Sequence, residues 1–154
     1  MEQPVITIFN KHYSKDSDIQ NLLAYIAGNG REKNKQKVAY TGAAGIKRKH
    51  EKAAMQIIKT QEAFGKNKKR RIYHMVVSFP EDEKNIQFVK QAARAVASEI
   101  FRRYQVFYGV HTSTENLHIH FAINAVSYID GKKWHMSKSE LREFKYCLVQ
   151  LIMN

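Results

Sequence analysis

The segment 104–124 constrains the fold more than any other part of the chain. It has the pattern of two β-strands joined by a short polar loop. In the second strand, apolar side chains at positions 117, 119, 121 and 123 alternate with His118, His120, Ala122 and Asn124. Because side chains alternate along a strand, this pattern places two histidines on one face and the apolar residues on the other.

The predicted hairpin brings three histidines together. If residues 113–116 form the loop, His111 lies opposite His118, and Gly109 lies opposite His120 and leaves room there. Directly paired side chains have Cβ atoms about 4.5–5.5 Å apart. Three converging imidazoles can hold one divalent ion with a position left open, and such an ion can polarise a phosphoryl oxygen or activate water. The alternative is a polar, solvent-facing hairpin whose histidines have no function.

Length and composition indicate one folded domain. The chain has 154 residues, of which 44% are apolar, which is enough for a hydrophobic core. It lacks both an apolar run of membrane-spanning length and the pattern of a secretory signal at its first residues. The single cysteine, Cys147, excludes an internal disulfide and a cysteine-ligated zinc site. We therefore expect a cytoplasmic protein without membrane insertion.

The net charge of +12 favours a polyanionic partner, and nucleic acid is favoured over a membrane surface. Cations cluster in segments 31–37 and 66–71, and lysines adjoin Trp134, whose ring could stack on a base. Alternatively, the basic segments are solvated connections that do not contact DNA, and Trp134 packs at the rim of the sheet. The candidate DNA contacts are Arg31, Lys33, Lys35, Lys37, Lys68, Lys69, Arg70, Arg71, Lys132, Lys133 and Trp134.

Periodicity predicts an α+β fold with a central antiparallel sheet that is covered by helices on one face. Strands are expected at 4–9 and 71–79, a short extended piece at 38–40, a Gly-rich loop at 41–46 and an edge strand at 132–135. Helices are expected at 18–27, 47–64, 82–103 and from 138 to the end. Because the last helix stops without a cap, we expect 1–154 to be the N-terminal domain of a longer protein.

The pattern His111-x-Ser113-x4-His118-x-His120-x3-Asn124 resembles the third motif of plasmid mobilisation relaxases of the MobA/VirD2-like, MOBP type, within the histidine–hydrophobe–histidine (HUH) endonucleases. Residues 21–26, which include Tyr25, resemble the first motif of that family. Segment 73–79 resembles the strand between these two motifs in the family, and segment 130–135 resembles the segment that follows the third motif. The four matching segments occur in the same order as in the family.

The resemblance implies a relaxase core, a tyrosine nucleophile and a divalent metal ion. Tyr25 matches the nucleophile, with Tyr13 and Tyr40 as the next candidates. His111, His118 and His120 match the metal ligands, with Mn²⁺ or Mg²⁺ as the expected ion and Zn²⁺, Co²⁺ or Ni²⁺ as alternatives. The implied substrate is single-stranded or hairpin DNA at an origin of transfer. The implied partners are relaxosome accessory proteins and a type IV coupling protein.

One position departs from the family. Relaxases commonly carry an aspartate two residues after the first histidine, where this chain has Ser113. That acid orients a ligand histidine, as carboxylates near metal sites do. We expect Glu115 to substitute, or another group to do so, and we expect Asn124 and His74 to line the site.

Other classes of protein share some of these residues. A rolling-circle replication initiator or a related transposase often places its tyrosine after the histidine motif, whereas Tyr25 precedes it. In another alternative, the chain is a non-catalytic basic DNA-binding domain whose histidines have no function. A metalloprotease is disfavoured because the sequence has no His-Glu-x-x-His, and a two-histidine phosphoesterase is disfavoured because only His111-Thr-Ser113 fits its repeated motif.

Overall fold

The computed structural model describes residues 2–29 and 37–154. Strands and helices alternate along most of this length before a β-hairpin and a final helix. The elements are β1 (Val5–Ile8), α1 (Asp16–Ile26), β2 (Val38–Ala44), α2 (His50–Ala63), β3 (Ile72–Ser78), α3 (Ile86–Ile100), β4 (Val106–His111), β5 (His118–Asn124) and α4 (Lys138–Met153).

The described strands form one antiparallel sheet in the order β1-β3-β5-β4-β2. The hairpin strands β4 and β5 lie inside the sheet. Their register pairs His111 with His118 and Gly109 with His120, which confirms the predicted pairing. The α+β class and the antiparallel sheet predicted from the sequence are therefore confirmed.

The helices lie on both faces of the sheet, so the expected cover on one face alone is corrected. Helices α3 and α4 pack on the face that carries Val106, Ile119 and Phe121. Helices α1 and α2 pack on the opposite face, against Phe107 and Ala122. Because these two residues share a face with His118 and His120, the histidines lie beside a second apolar core rather than on a solvent-facing surface.

The second strand is longer than predicted. β2 continues through the segment that we expected to be a loop, and it pairs with β4 as far as Ala44. Gly42 lies against the side chain of Tyr108, where an added Cβ would come within 2.3 Å of the hydroxyl oxygen. The small residues that suggested a loop therefore allow the edge strand β2 to pack over the side chain of Tyr108.

Two further boundaries differ from the prediction. The helix expected from residue 82 begins at Ile86, because Asn85 caps it by accepting a hydrogen bond from the backbone N–H of Phe88. The edge strand expected at 132–135 is reduced to a single bridge between Val126 and Lys133. Helix α4 begins where the sequence predicts it, with a capping box formed by Ser137 and Glu140.

Candidate active site

Three histidines meet on the α1 side of the sheet. One potential ligand atom from each of His111, His118 and His120 lies within 4.8 Å of the others. The side chains of His111 and His120 are buried and that of His118 is half-buried. The hairpin register produces this cluster, because His111 and His118 face each other and His120 follows two residues later on the same face.

Each histidine is oriented by a hydrogen bond through one ring nitrogen. His111 Nε2 lies 2.9 Å from the carbonyl oxygen of Ile26, and His118 Nδ1 lies 2.7 Å from that of Asn116. Because a carbonyl oxygen only accepts, those two nitrogens carry the protons. The lone pairs of the neutral rings are then on His111 Nδ1 and His118 Nε2, where a cation can be bound.

The third histidine has a histidine partner. His120 Nδ1 lies 2.8 Å from Nε2 of His74, which is on the neighbouring strand β3. His120 Nε2 is buried and has no hydrogen-bond partner within residues 2–29 and 37–154. A buried nitrogen left without a partner is costly unless a ligand takes it. The three residues therefore fit a nitrogen-bound divalent metal ion.

Burial keeps these rings in the form that a metal requires. Desolvation, followed by repulsion from His111 and other histidine neighbours, lowers the pKa of His120 to about 2. Burial lowers the pKa of His74 to about 4, and it also lowers the pKa of His111. A charged imidazole at His74, His111 or His120 would lose hydration and meet other positive charge, so the neutral form of these three rings is favoured near pH 7.

No carboxylate orients the histidines among the described residues. The backbone oxygen of Glu115 accepts a hydrogen bond from Lys84 Nζ, and neither Ser113 nor the Glu115 carboxylate bonds a histidine in that part of the chain. Backbone carbonyls and His74 take the orienting role. His74 lies against His120, whereas the Glu115 carboxylate makes no hydrogen bond to a histidine within the described residues.

Tyr25 lies over the histidine cluster from the last turn of α1. Its ring centroid is 5.5 Å from that of His120, 5.8 Å from that of His111 and 6.3 Å from that of His74. The side chain is half-buried. Of the two other candidate tyrosines, Tyr13 packs with the α1–α2 core, and Tyr40 packs against Tyr108 on the α3 side of the sheet. The fold thus brings Tyr25, and not Tyr40, to the histidines.

A glycine allows α1 to approach this closely. A Cβ at Gly109 would lie 2.4 Å from the carbonyl oxygen of Ile26 and 3.0 Å from its Cγ2. The same carbonyl accepts the hydrogen bond from His111. Since Tyr25 directly precedes Ile26, the contact that orients a ligand histidine also fixes the position of the tyrosine.

Asn124, expected to line the site, belongs to a buried polar network at the other end of β5. Its side-chain oxygen accepts from Gln61 Nε2 at 2.9 Å, and its amide donates to Gln105 Oε1 at 2.9 Å. Gln61 also bonds the side chain and the carbonyl of Arg71. The network joins α2 to the central strands. Reading the sequence alone missed Gln61, because a polar residue within an amphipathic helix gives no sign that it is buried.

Arg71, predicted to contact DNA, is instead a buried member of this network. It is 3% exposed, and its Nη1 forms an ion pair with Asp16 at 2.7 Å. The ion pair joins the first turn of α1 to the start of β3. Its placement removes Arg71 from the candidate DNA contacts.

The fold brings the basic segment 66–71 next to the lysines that adjoin Trp134. Lys133 Nζ donates to the backbone oxygen of Lys68, and Lys66 Nζ donates to that of Gly131. Burial and neighbouring cations, Lys69 first among them, lower the pKa of Lys133. Lys37, Lys68, Lys69 and Lys132 are exposed, and Arg70 is half-buried. Arg31, Lys33 and Lys35 lie outside the described residues.

Trp134 is packed rather than presented to solvent. It is 9% exposed, and its ring lies 4.7 Å from that of Tyr73, 5.6 Å from that of Tyr104 and 5.5 Å from that of Phe144. The alternative of a tryptophan packed at the sheet rim therefore describes its surroundings. An open stacking platform on its ring face is excluded by these neighbours.

The described helices include none with the length and apolar character needed to cross a membrane.

Comparison with known proteins identifies the family. A solved structure described as "Molecular Basis of Vancomycin Resistance Transfer in Staphylococcus aureus" is similar to this chain with a TM-score of 0.63 and 11% sequence identity, over 98% of this chain and 91% of that one. This likeness establishes a shared fold. No curated protein matches. The model of the family "Relaxase: MobA/VirD2-like, nuclease domain" matches residues 25–152. The chain thus belongs to the MobA/VirD2-like relaxases, and it carries the DNA-nicking nuclease domain of that family.

Proposed function

We propose that the chain cleaves one strand of DNA at an origin of transfer by attack of the Tyr25 hydroxyl on a phosphodiester. The observation that carries this proposal is the placement of the Tyr25 ring between 5.5 and 6.3 Å from the rings of His120, His111 and His74. The position of Tyr25 before the histidine motif also supports a relaxase over a rolling-circle initiator.

The cleavage step is a transesterification. The Tyr25 oxygen forms a bond to phosphorus and loses its proton, while the bond from phosphorus to the 3′ oxygen breaks and that departing oxygen takes up a proton. The products are a 3′ hydroxyl and a 5′-phosphotyrosyl link. Because one ester replaces another, the reverse step can reseal the strand without a nucleotide cofactor.

His111, His118 and His120 would hold the divalent ion, for which we propose Mn²⁺ or Mg²⁺. When bound, the ion supplies positive charge to the nonbridging phosphate oxygens, where negative charge grows during attack. Imidazole nitrogens also suit Zn²⁺, Co²⁺ and Ni²⁺. The contacts of His111 with Ile26, of His118 with Asn116 and of His120 with His74 keep the three rings in place before any ligand arrives.

The exposed basic residues provide the remaining affinity for the strand. Lys68, Lys69 and Lys132 are exposed, and Lys133 joins the two segments by bonding the Lys68 carbonyl. Neutralising phosphates with lysines releases counterions, so binding should weaken steeply with salt. We also propose that the covalent complex is passed to relaxosome accessory proteins and a type IV coupling protein, as the resemblance implies.

Detection of a covalent protein–DNA product tests the proposal. The purified chain is incubated with Mn²⁺ and a library of labelled single strands, and products are resolved on a denaturing gel. We expect Tyr25→Phe to bind the selected strand and form no adduct, because it lacks the attacking oxygen. Tyr13→Phe is the matched control and should form the adduct. An undiminished adduct with Tyr25→Phe would assign the nucleophile to another residue.

A further inference from the structure

A cavity of about 460 Å³ lies at the β2 edge of the sheet, on the side that α3 covers. We call it the β2 pocket. Its volume is within the range of about 300–1,000 Å³ that is usual for small-ligand pockets. The side chains used below that line it are those of Tyr40, Arg48, Arg94, Ser98 and Tyr108.

The β2 pocket and the histidine cluster are on opposite faces of the sheet. Tyr108 and Tyr40 pack with the core under α3, whereas the histidines share their face with Phe107. Gly109, which is paired with His120, lies against α1. Because neighbouring residues of a strand face opposite ways, the sheet separates the β2 pocket from the reaction centre.

Three cations lie around the two tyrosines of the β2 pocket. The guanidinium of Arg48 lies 4.5 Å from the ring centroid of Tyr40, and Lys90 Nζ lies 5.1 Å from the same centroid. The positive charges of Arg94 and Arg48 both act on the Tyr108 hydroxyl. Attraction to the face of an aromatic ring holds Arg48 and Lys90 near each other despite their like charge.

These three cations have no acidic partner within residues 2–29 and 37–154. Three other arginines of the domain are each paired with a carboxylate, so ion pairing is the usual arrangement in this chain. None of the described residues that line the β2 pocket is acidic. Because like charges at short range repel, a bound anion would stabilise this arrangement.

The polar groups of the β2 pocket suit a phosphate group. A guanidinium offers paired N–H donors that match two phosphate oxygens, and Ser98 adds an exposed hydroxyl. Burial, followed by the neighbouring Tyr40, raises the pKa of Tyr108 to about 12. The Tyr108 hydroxyl therefore carries no negative charge near pH 7 that would repel an anion.

We propose that the β2 pocket binds a doubly charged phosphate group, either as inorganic phosphate or as the terminal phosphate of a small molecule. A phosphate monoester carries a charge of about −1.5 to −2 at pH 7. Each linkage of a DNA strand carries a single negative charge. Three cations without acidic partners match the doubly charged group better, and the pocket faces away from the histidines. This site goes beyond the proposed strand cleavage and does not depend on it.

Nuclear magnetic resonance of the full chain without added metal tests the proposal. Protein labelled with ¹⁵N is titrated with inorganic phosphate and, separately, with adenosine monophosphate. Adenosine, and sodium chloride at matched ionic strength, are the controls. We expect the two phosphates to shift the backbone amides of residues 42–48 and 94–98 saturably, and the controls to leave them unchanged.

The two phosphates also distinguish the sources of the group. Tighter binding of adenosine monophosphate identifies the terminal phosphate of a small molecule, whereas equal or tighter binding of inorganic phosphate identifies the free ion. Shifts that are confined to other parts of the chain, equal shifts with adenosine, or the absence of saturation would each overturn the proposal.

A matched pair of variants separates the β2 pocket from the general positive charge of the chain. Arg94→Gln should lower the affinity for inorganic phosphate roughly 10–150-fold, which is the usual loss for a hydrogen bond to a charged group. Arg142→Gln is the control, because Arg142 is exposed on α4 and does not line the pocket. Equal losses in the two variants would overturn the assignment.

Competition with DNA shows whether the three cations serve the strand instead. With (dT)12 bound at saturation, inorganic phosphate should still shift the amides of residues 94–98 with unchanged affinity, because the sheet separates the two sites. Displacement of phosphate by (dT)12 would assign the cations to DNA and overturn the proposal. The titration requires no adduct, so its outcome is independent of whether Tyr25 is the nucleophile.

Discussion

Gly109→Ala should move Tyr25 away from the histidines while every polar group of the site remains in the chain. The new Cβ would lie 2.4 Å from the Ile26 carbonyl oxygen. A carbon–oxygen contact is comfortable at about 3.3–3.6 Å. The end of α1 must therefore retreat by about 1 Å, because the glycine lies on an internal strand that is paired on both sides.

The energetic effect follows from two terms. Overpacking of a tight contact costs about 1–3 kcal/mol. A retreat of about 1 Å also breaks the 2.9 Å bond from His111 Nε2 to Ile26, which contributes about 0.5–1.5 kcal/mol. We expect the free energy of unfolding to fall by about 1.5–4.5 kcal/mol. A misplacement of about 1 Å can also slow a reaction by about 100-fold, so adduct formation should slow by about this factor.

Urea unfolding measures the first effect, and single-turnover adduct formation at saturating DNA measures the second. Gly65→Ala is the control, because a Cβ there meets nothing within 4 Å and only its φ of +66° opposes the change. The control should cost about 1 kcal/mol and leave the rate of adduct formation unchanged. A Gly109→Ala protein with wild-type stability and rate would refute the claim that this contact positions the tyrosine.

The remaining predictions concern the metal, the buried network and the basic patch. Exhaustive chelation should abolish adduct formation and Mn²⁺ should restore it; activity that survives metal removal would exclude the metal role. Mn²⁺ should raise the Tm of the wild type but not that of His120→Ala, as thermal melts can show. Gln61→Ala should lower the free energy of unfolding by at least about 2 kcal/mol, because the buried Nε–H and the carbonyl oxygen of Arg71 both lose their Gln61 partner while Nη1 keeps its pair with Asp16. Gln91→Ala, exposed on α3, should stay within about 0.5 kcal/mol in the same urea titration. Combining Lys68→Ala with Lys132→Ala should reduce the slope of log K against log salt by about 1.4, measured by anisotropy with a labelled strand, and an unchanged slope would remove both lysines from the DNA contacts.

The sequence was sufficient to predict the histidine cluster because its causes are local. Alternation along β5 decides which face His118 and His120 share, and a short loop decides which residue of β4 each one meets. Within the helix predicted at 18–27, the apolar residues recur at helical spacing, and these residues, Ile19, Leu22, Leu23 and Ile26, are the ones that α1 buries. These features depend on neighbours within a few residues along the chain or within one hairpin.

Tyr25 could be selected only through the family resemblance, since its position in a helix is that of an ordinary tyrosine at the edge of a core. Its approach to the histidines depends on packing between α1 and a glycine on β4, more than eighty residues away in the sequence. Likewise, His74 meets His120 only because β3 pairs with β5. Register within one hairpin is a local property, whereas the order of strands in the sheet is a property of the whole chain.

The sequence by itself thus determined that three imidazoles share one face of a hairpin, that the chain is strongly basic and that four helices accompany the sheet. The tertiary structure decided which polar residues became buried. Arg71 belongs to a run of cations that looks solvent-exposed in the sequence, yet it is enclosed because Asp16 and Gln61 converge on it from two helices. The burial of a residue depends on which distant parts of the chain pack against it, and these neighbours cannot be read from the local sequence pattern.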